Sequence, residues 1–262
     1  MNKKFHFITG LPRSGSTLLS SILKQNPKFH ASITDPLANL FKGVIEVSQE
    51  GPGMKYEVPE KRRFNIAKSI FDGYYQDVDK PVIFNTNRAW TILTPQIDAI
   101  FPESKLIICV RDIVWILDSF ELAHRKNPLS ISTVTGGLSG TVYSRADGLM
   151  LETGVVGFPY IGVKQAITSS EKHKCIIIEY DNLCKNPELV VKSIYNFIDE
   201  PYYKHDFNNV EASWDEYDSE IGIKLHHVKK MFNTQKEKQF FLPTLFKNIK
   251  IWKFGDFNNY RI

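Results

Sequence analysis

Length, composition and charge set the first limits on this protein. The chain has 262 residues, a hydrophobic share of 42%, a charged share of 24% and a formal net charge of +4. These values are typical of a globular protein with a sizeable core, and the charge is too small for a nucleic-acid-binding surface. We expect a single domain over residues 1–262 and no nucleic-acid partner.

Cysteine usage and apolar runs exclude further classes. The chain has an odd number of cysteines, Cys109, Cys175 and Cys184. Cys109 lies in an apolar run typical of a buried strand. This pattern favours reduced thiols over a disulfide framework. There is no evident signal peptide, no apolar run of membrane-spanning length and no Cys/His spacing that resembles a metal site. We expect a cytoplasmic protein without a membrane span or a bound metal.

The first motif predicts a strand, a tight turn and a helix. Residues 5–10 are mostly apolar, residues 10–16 are rich in Gly, Pro and Ser, and apolar residues recur at helical spacing over residues 18–23. In this arrangement backbone N–H groups and a helix N-terminus converge on one place. The turn therefore predicts an anion-binding site.

The turn resembles a P-loop with one change. Gly10, Gly15 and Thr17 fit the pattern G-x-x-x-x-G-K-[ST], but Ser16 replaces the lysine that reaches the β- and γ-phosphates of a triphosphate. Arg13 supplies a cation whose planar fork can hold an anion by two hydrogen bonds. We therefore expect an anionic ligand other than a triphosphate with Mg²⁺.

The next stretch predicts helices separated by a loop. Asp35 and Pro36 are typical of a helix N-cap and first helical position. Residues 51–53, Gly-Pro-Gly, predict a loop, and apolar spacing over residues 64–74 predicts another helix.

Strands and helices then alternate. Residues 82–84 predict a short strand, residues 92–100 a helix and residues 106–110 a buried strand. A lid-length loop is expected over 127–140, and a mostly helical stretch over 143–167 with a break at 157–159.

This alternation predicts the fold. A further strand is expected at residues 175–180, followed by a helix from Pro187. Strands that alternate with helices form a parallel sheet, so we expect an α/β protein with a P-loop-like three-layer α/β/α architecture and a central parallel sheet. Ligands bind outside the carboxyl ends of such strands, where the turn at 10–16, residues 85–88 and Arg111 would meet.

A second anion site is predicted after the strand at 106–110. Arg111 follows this strand directly, and Ser119 comes eight residues later, two turns into the next helix. Arg offers a charged fork and Ser a neutral hydroxyl, so both can contact one phosphate. An Arg at this position is also common on an ordinary surface, and the pair becomes specific only together with the lysine-less turn.

These motifs together resemble the sulfotransferases that use 3′-phosphoadenosine 5′-phosphosulfate (PAPS). Residues 11–19 resemble the family's 5′-phosphosulfate loop, in the form found in tyrosylprotein sulfotransferases and related bacterial enzymes, and residues 110–119 resemble its 3′-phosphate motif. Residues 178–188 are similar to a late strand and helix, and residues 222–230 to a loop that closes over the nucleotide. The resemblance implies that the donor is bound by Pro12, Arg13, Ser14, Gly15, Ser16, Thr17, Arg111, Ser119, Tyr180, Leu225, His226 and Lys230.

The resemblance also implies a reaction. A sulfuryl group would pass, without a metal, from PAPS to a hydroxyl group of a small molecule, a glycan or a tyrosine-like phenol. Arg13 would stabilise the leaving phosphate, and Arg88, roughly where the family has a catalytic Lys, would neutralise the sulfuryl oxygens.

The general base is left open by the sequence. Asp35 stands one residue beyond the position where the related enzymes have a Glu, but a helix N-cap before Pro36 explains it better. His30, Glu121 and His124 are other candidates.

Two alternatives and two unknowns remain at this stage. The chain could be a P-loop kinase or NTPase with a relocated lysine, using Asp112 or Glu179 to bind Mg²⁺, or a non-catalytic nucleotide-binding module. The basic segment 224–253 is either a solvated face or a cover over an anionic ligand. The oligomeric state is open, with a homodimer as one option.

Overall fold

The computed structural model describes residues 3–126, residues 140–210 and residue 219. Its strands are β1 Lys4–Gly10, β2 Phe29–Ala31, β3 Val82–Thr86, β4 Leu106–Val110 and β5 Cys175–Glu179. Its α-helices are α1 Ser16–Leu23, α2 Leu37–Val47, α3 Gly51–Glu57, α4 Glu60–Tyr74, α5 Thr94–Ile100, α6 Ile113–Lys126, α7 Val142–Met150, α8 Gly157–Thr168, α9 Tyr180–Lys185 and α10 Pro187–Phe197. Short 3-10 helices cover Arg88–Thr91 and Ser170–Lys174.

The five strands form one parallel sheet in the order β2-β3-β1-β4-β5. β1 lies at the centre and pairs with β3 on one side and β4 on the other. All five residues of β4 are buried, as expected of a parallel strand covered on both faces. The carboxyl ends of β1, β3 and β4 therefore share one edge of the sheet.

Helices cover both faces of this sheet. Alternate strand residues point to opposite sides, so Phe7 and Ile108 join a core with α2, α4, α6 and α8. Ile8 and Ile107 join a second core with α1 and α10. The predicted three-layer α/β/α fold with a central parallel sheet is confirmed.

Two local predictions are wrong, and one strand was missed. Residues 51–53 begin helix α3, because Pro52 lies in the first turn, where its missing N–H costs nothing. Residues 157–159 begin α8, and the break between helices falls at 151–156. The strand β2 was not predicted, since a three-residue edge strand leaves little periodic signal.

Two boundaries are refined by the structure. Helix α2 begins at Leu37 with Pro36 as its N-cap, one residue later than predicted. Residues 127–139 of the predicted loop lie outside the described residues. The single domain over 1–262 stays a prediction, because residues 220–262 also lie outside them.

His6 on β1 is a buried titratable group inside the sheet. Its side chain is 2% exposed, and its Nδ1 accepts a hydrogen bond of 3.2 Å from the backbone N–H of Lys105. Burial lowers the pKa of His6 to about 3, with smaller contributions from Lys4 and Lys105. The native ring is therefore neutral at any pH near neutrality.

We predict that acidification destabilises the fold through His6. The unfolded ring binds a proton below about pH 6.5, while the native ring resists it down to about pH 3, so stability present above pH 6.5 is lost as the pH falls. At pH 5 the loss should be about 2 kcal/mol. His6→Asn, which keeps an acceptor for the N–H of Lys105, should show a smaller loss between pH 7 and pH 5 in urea denaturation. An equal loss in both proteins would contradict this assignment.

Candidate active site

The turn from β1 to α1 is held against the end of β4. Gly10 has φ +118°, and a Cβ there would lie 2.1 Å from the carbonyl oxygen of Cys109, so only glycine fits. The same oxygen accepts a hydrogen bond of 2.9 Å from the N–H of Leu11 and lies 2.9 Å from the buried Ser14 hydroxyl, which is 2.5 Å from the carbonyl of Leu11. The Ser14 side chain therefore fixes the turn, which leaves its backbone to bind a ligand.

Helix α1 starts at this turn with an open N-terminus. Gly15 is its N-cap, with φ +91°, and no side chain caps the helix there. A Cβ on Gly15 would lie 2.7 Å from the ring of Tyr180, so this glycine also permits a close approach. Ser16 and Thr17 open the helix and are half-buried. Uncapped N–H groups at the positive end of a helix are suited to an anion.

Four of the predicted site residues meet beside this helix end. Arg13, in the left-handed region with φ 58°, donates from Nε to Ser119 Oγ at 2.9 Å. Arg111 donates from Nη1 to the carbonyl of Arg13 at 3.4 Å, and its guanidinium lies 4.3 Å from the ring centroid of Tyr180. Burial raises the pKa of Tyr180 to about 12, so the ring stays neutral under the guanidinium. The two predicted anion motifs therefore form one cluster.

One donor in this cluster has no acceptor. Nε of Arg111 is buried and makes no hydrogen bond within the described part of the chain. A buried charged donor without a partner is costly, and an anionic oxygen would satisfy it. The open end of α1 and the Arg111 donor therefore fit a ligand with two anionic groups.

Arg88 lies at the same edge of the sheet. It is exposed and opens the short 3-10 helix after β3, and its carbonyl accepts from the Thr9 hydroxyl at 3.3 Å. Asn87 donates its N–H to the carbonyl of Ile8 at 3.1 Å. These bonds attach Arg88 to β1 just before the anion-binding turn.

Asp35 belongs to a buried hydrogen-bond network. Its Oδ1 accepts from the N–H of Leu37 at 3.0 Å, and its Oδ2 from the Tyr75 hydroxyl at 2.8 Å. The Tyr75 oxygen accepts from Nδ2 of Asn85 at 2.6 Å, and Oδ1 of Asn85 accepts from the indole of Trp90 at 2.7 Å. The carboxylate thus holds the start of α2 against α4 and β3, and its role as a base stays a prediction.

The other candidate bases differ in environment. Glu121 is buried and paired with Arg125 at 2.8 Å and Arg145 at 2.7 Å. Burial alone would raise the pKa of Glu121, but the hydrogen bonds from the two arginines outweigh it, and the pKa lies below its usual value. His30 is half-buried on β2, where burial lowers its pKa, and His124 is half-buried on α6. Glu121 therefore joins α6 to α7 as an ionised group.

A cavity of about 250 Å³ opens beside Arg88. Sequence reasoning found Arg88 but missed the rest of the lining, because it comes from separate parts of the chain. The lining residues are Asn39, Lys42, Asn87, Arg88, Ala89, Ile92, Thr153, Gly154, Val155, Phe158 and Pro159. The hydrogen bond from Nδ2 of Asn87 to the carbonyl of Asp35, 2.6 Å long, connects this cavity to the Asp35 network.

Three predicted donor-binding residues, Leu225, His226 and Lys230, lie outside the described residues. Within residues 3–126 and 140–210 no group of three or more His, Cys, Asp or Glu side chains could hold a metal ion. None of the helices described there is long and apolar enough to cross a membrane.

The fold and the site together define an α/β protein with a P-loop-like turn that lacks the P-loop lysine. The model of the sulfotransferase family matches residues 6–204, and the chain belongs to this family. Membership disfavours the alternative of a P-loop kinase or NTPase.

Individual relatives are distant. The chain is 22% identical over 208 residues to nodulation protein NoeE of Sinorhizobium fredii. The aligned part covers 72% of this chain and 48% of NoeE. It therefore spans about half the length of this curated relative.

Two solved structures show the same fold. The sulfotransferase domain from the curacin biosynthetic pathway has a TM-score of 0.54 at 16% identity and covers 78% of this chain and 76% of its own. Mouse sulfotransferase SULT7A1, solved in complex with PAP, has a TM-score of 0.52 at 14% identity and covers 96% of this chain and 84% of its own.

We predict that Tyr75→Phe lowers the free energy of unfolding by about 1–3 kcal/mol. The change leaves Oδ2 of Asp35 and Nδ2 of Asn85 without their partner, and both residues are buried. Tyr56→Phe is the control, because Tyr56 is 83% exposed and should change stability by less than about 0.5 kcal/mol. Urea denaturation measures both. Equal stabilities for the two variants would show that the network contributes nothing.

Proposed function

We propose that this sulfotransferase transfers a sulfuryl group from PAPS to a hydroxyl group of an acceptor, without a metal ion. One observation carries the proposal: the lysine-less turn and the Arg111–Ser119 pair form a single cluster, joined by the Arg13–Ser119 hydrogen bond. PAPS carries a 5′-phosphosulfate and a 3′-phosphate, so it needs two anion sites. The PAP complex of mouse SULT7A1, a structure with the same fold, supports this choice of donor.

The donor's two ends would take different parts of the cluster. The backbone N–H groups of residues 13–17 and the guanidinium of Arg13 would bind the 5′-phosphosulfate. Arg111 and Ser119 would bind the 3′-phosphate. Ser119 accepts from Arg13, so its own hydroxyl hydrogen remains to be donated. Tyr180, stacked on Arg111, holds the guanidinium in place.

The reaction breaks the bond between the sulfuryl sulfur and the 5′-phosphate oxygen and forms a bond from that sulfur to the acceptor oxygen. The transition state of such transfers is loose, with charge on peripheral oxygens. Arg13 would stabilise the phosphate that leaves, and Arg88 the sulfuryl oxygens. The acceptor's proton passes to a base. Asp35 can take that proton once the Tyr75 hydroxyl releases Oδ2. His30, whose ring centroid lies 5.6 Å from that of Tyr75, is another candidate.

Calorimetric titration tests the donor directly. We expect the desulfated product PAP to bind at micromolar concentration without metal, and ATP with Mg²⁺ to bind far more weakly, because no lysine follows Gly15. Tight binding of Mg·ATP with no response to PAP would overturn the proposal.

We predict that Arg111→Ala weakens PAP binding by more than about tenfold, since a charge-assisted contact contributes about 1.5–3 kcal/mol. Arg111→Lys should recover part of the affinity, because it keeps the charge and loses the planar fork. Arg62→Ala, at an exposed arginine on α4, is the control. Unchanged PAP affinity in Arg111→Ala would remove Arg111 from the donor site.

We predict that Arg88→Ala lowers kcat by about 100-fold and leaves the Kd of PAP within about twofold. The guanidinium is assigned to the sulfuryl oxygens, which PAP lacks. Arg88→Lys should restore part of the rate. Product formation from radiolabelled PAPS and a simple phenol measures kcat, and calorimetry measures Kd. A parallel loss of rate and PAP affinity would instead make Arg88 a donor-binding residue.

A further inference from the structure

The cavity beside Arg88 has a cation that the proposed reaction does not use. Lys42 lines it from α2, opposite the 3-10 segment that carries Arg88. The amides of Asn39 and Asn87 also line it, and none of the described residues that form its wall is Asp or Glu. Lys42, with amides and no carboxylate among the described residues of the wall, makes the cavity suited to an anionic group.

The partner of Lys42 does not neutralise it. Its Nζ lies 3.5 Å from Oε1 of Glu46, one turn along α2, and the two side chains are 48% and 60% exposed. Such exposed pairs contribute about 0–1 kcal/mol. An anionic ligand group in the cavity can therefore replace Glu46 as the partner of the Lys42 ammonium at little cost in free energy.

Another part of the wall is apolar. Ile92, Val155, Phe158 and Pro159 line the side formed by the 3-10 segment and the start of α8. Gly162 allows this packing, since a Cβ on it would lie 2.3 Å from the hydroxyl of Thr91. The cavity volume of about 250 Å³ is smaller than that of a typical site for a drug-sized ligand. It suits a compound with one ring.

We propose that the acceptor is a ring-sized hydroxyl compound that also carries an anionic group, and that Lys42 binds this group. The inference rests on the proposed function and names its substrate class. Arg88 is committed to the sulfuryl group, so Lys42 is the cation left in the cavity for the acceptor. The anionic group is unchanged by the reaction, so its contact with Lys42 would stabilise the bound acceptor and the transition state alike.

Three phenols of similar size test the charge preference. They are 4-hydroxyphenylacetate, its neutral amide 4-hydroxyphenylacetamide, and the cationic tyramine. Binding is measured by calorimetry on the full chain, with and without excess PAP. We expect the carboxylate to bind at least about tenfold more tightly than the amide, as a charge-assisted contact allows, and tyramine to bind no better than the amide.

A matched pair of variants tests Lys42 itself. Lys42→Gln should remove the preference for the carboxylate. Lys192→Gln should keep it, because Lys192 has the same kind of partner, Glu188 one turn away at 2.8 Å with exposures of 50% and 60%, but lies on α10 on the other face of the sheet. The KM for the carboxylate should rise in Lys42→Gln with kcat little changed.

Two results would overturn the inference. One is equal or undetectable binding of all three phenols, and the other is a preference that survives Lys42→Gln. Either result alongside normal PAP binding leaves the proposed function intact. Failure of the proposed function shows separately, as absent PAP binding, while the phenol preference is still measured without PAP.

Discussion

The contact between Gly10 and the carbonyl of Cys109 is the constraint on which the site depends. The approach is too close for any Cβ, and the same carbonyl accepts from Leu11 and lies beside Ser14. The turn after β1 is thereby fixed to the end of β4. Because Arg111 and α6 follow β4 directly, the first anion motif and the second are set against each other by one pair of neighbouring strands.

The missing lysine has a structural counterpart in Arg13. A P-loop lysine enters from the first turn of its helix, whereas Arg13 lies within the turn itself, in the left-handed region. This conformation costs about 1–3 kcal/mol, and the hydrogen bond to Ser119 and the contact of Arg111 with the Arg13 carbonyl help to hold it. The cation is therefore built into the loop that would bind the leaving phosphate, and it is shared with the second motif.

The sequence could predict those parts of the structure that depend on local patterns. β1, β4 and β5 are apolar runs, and α1 shows helical spacing of its apolar residues. From this alternation the sequence predicted a parallel sheet and the common edge where Arg13 and Arg111 meet. The helix starts at Pro52 and Pro159 were not predicted, because proline in a first helical turn has the same signature in sequence as proline in a loop. The cavity was missed because Lys42, with Glu46 one turn away, is indistinguishable in sequence from a solvated helix face.

The sequence offered two rival explanations for Asp35, a helix N-cap and a general base. The structure relates these two explanations to each other. Its two oxygens have separate partners: Oδ1 accepts the N–H of Leu37, and Oδ2 accepts the Tyr75 hydroxyl. The bond to α2 orients the carboxylate, and a buried carboxylate needs such bonds to be tolerated. An acceptor hydroxyl that replaced Tyr75 on Oδ2 would exchange one O–H donor for another, at little net cost. The hydrogen bond from the N–H of Leu37 to Oδ1 would persist through that exchange, so holding the start of α2 and receiving a proton need not compete for the same oxygen.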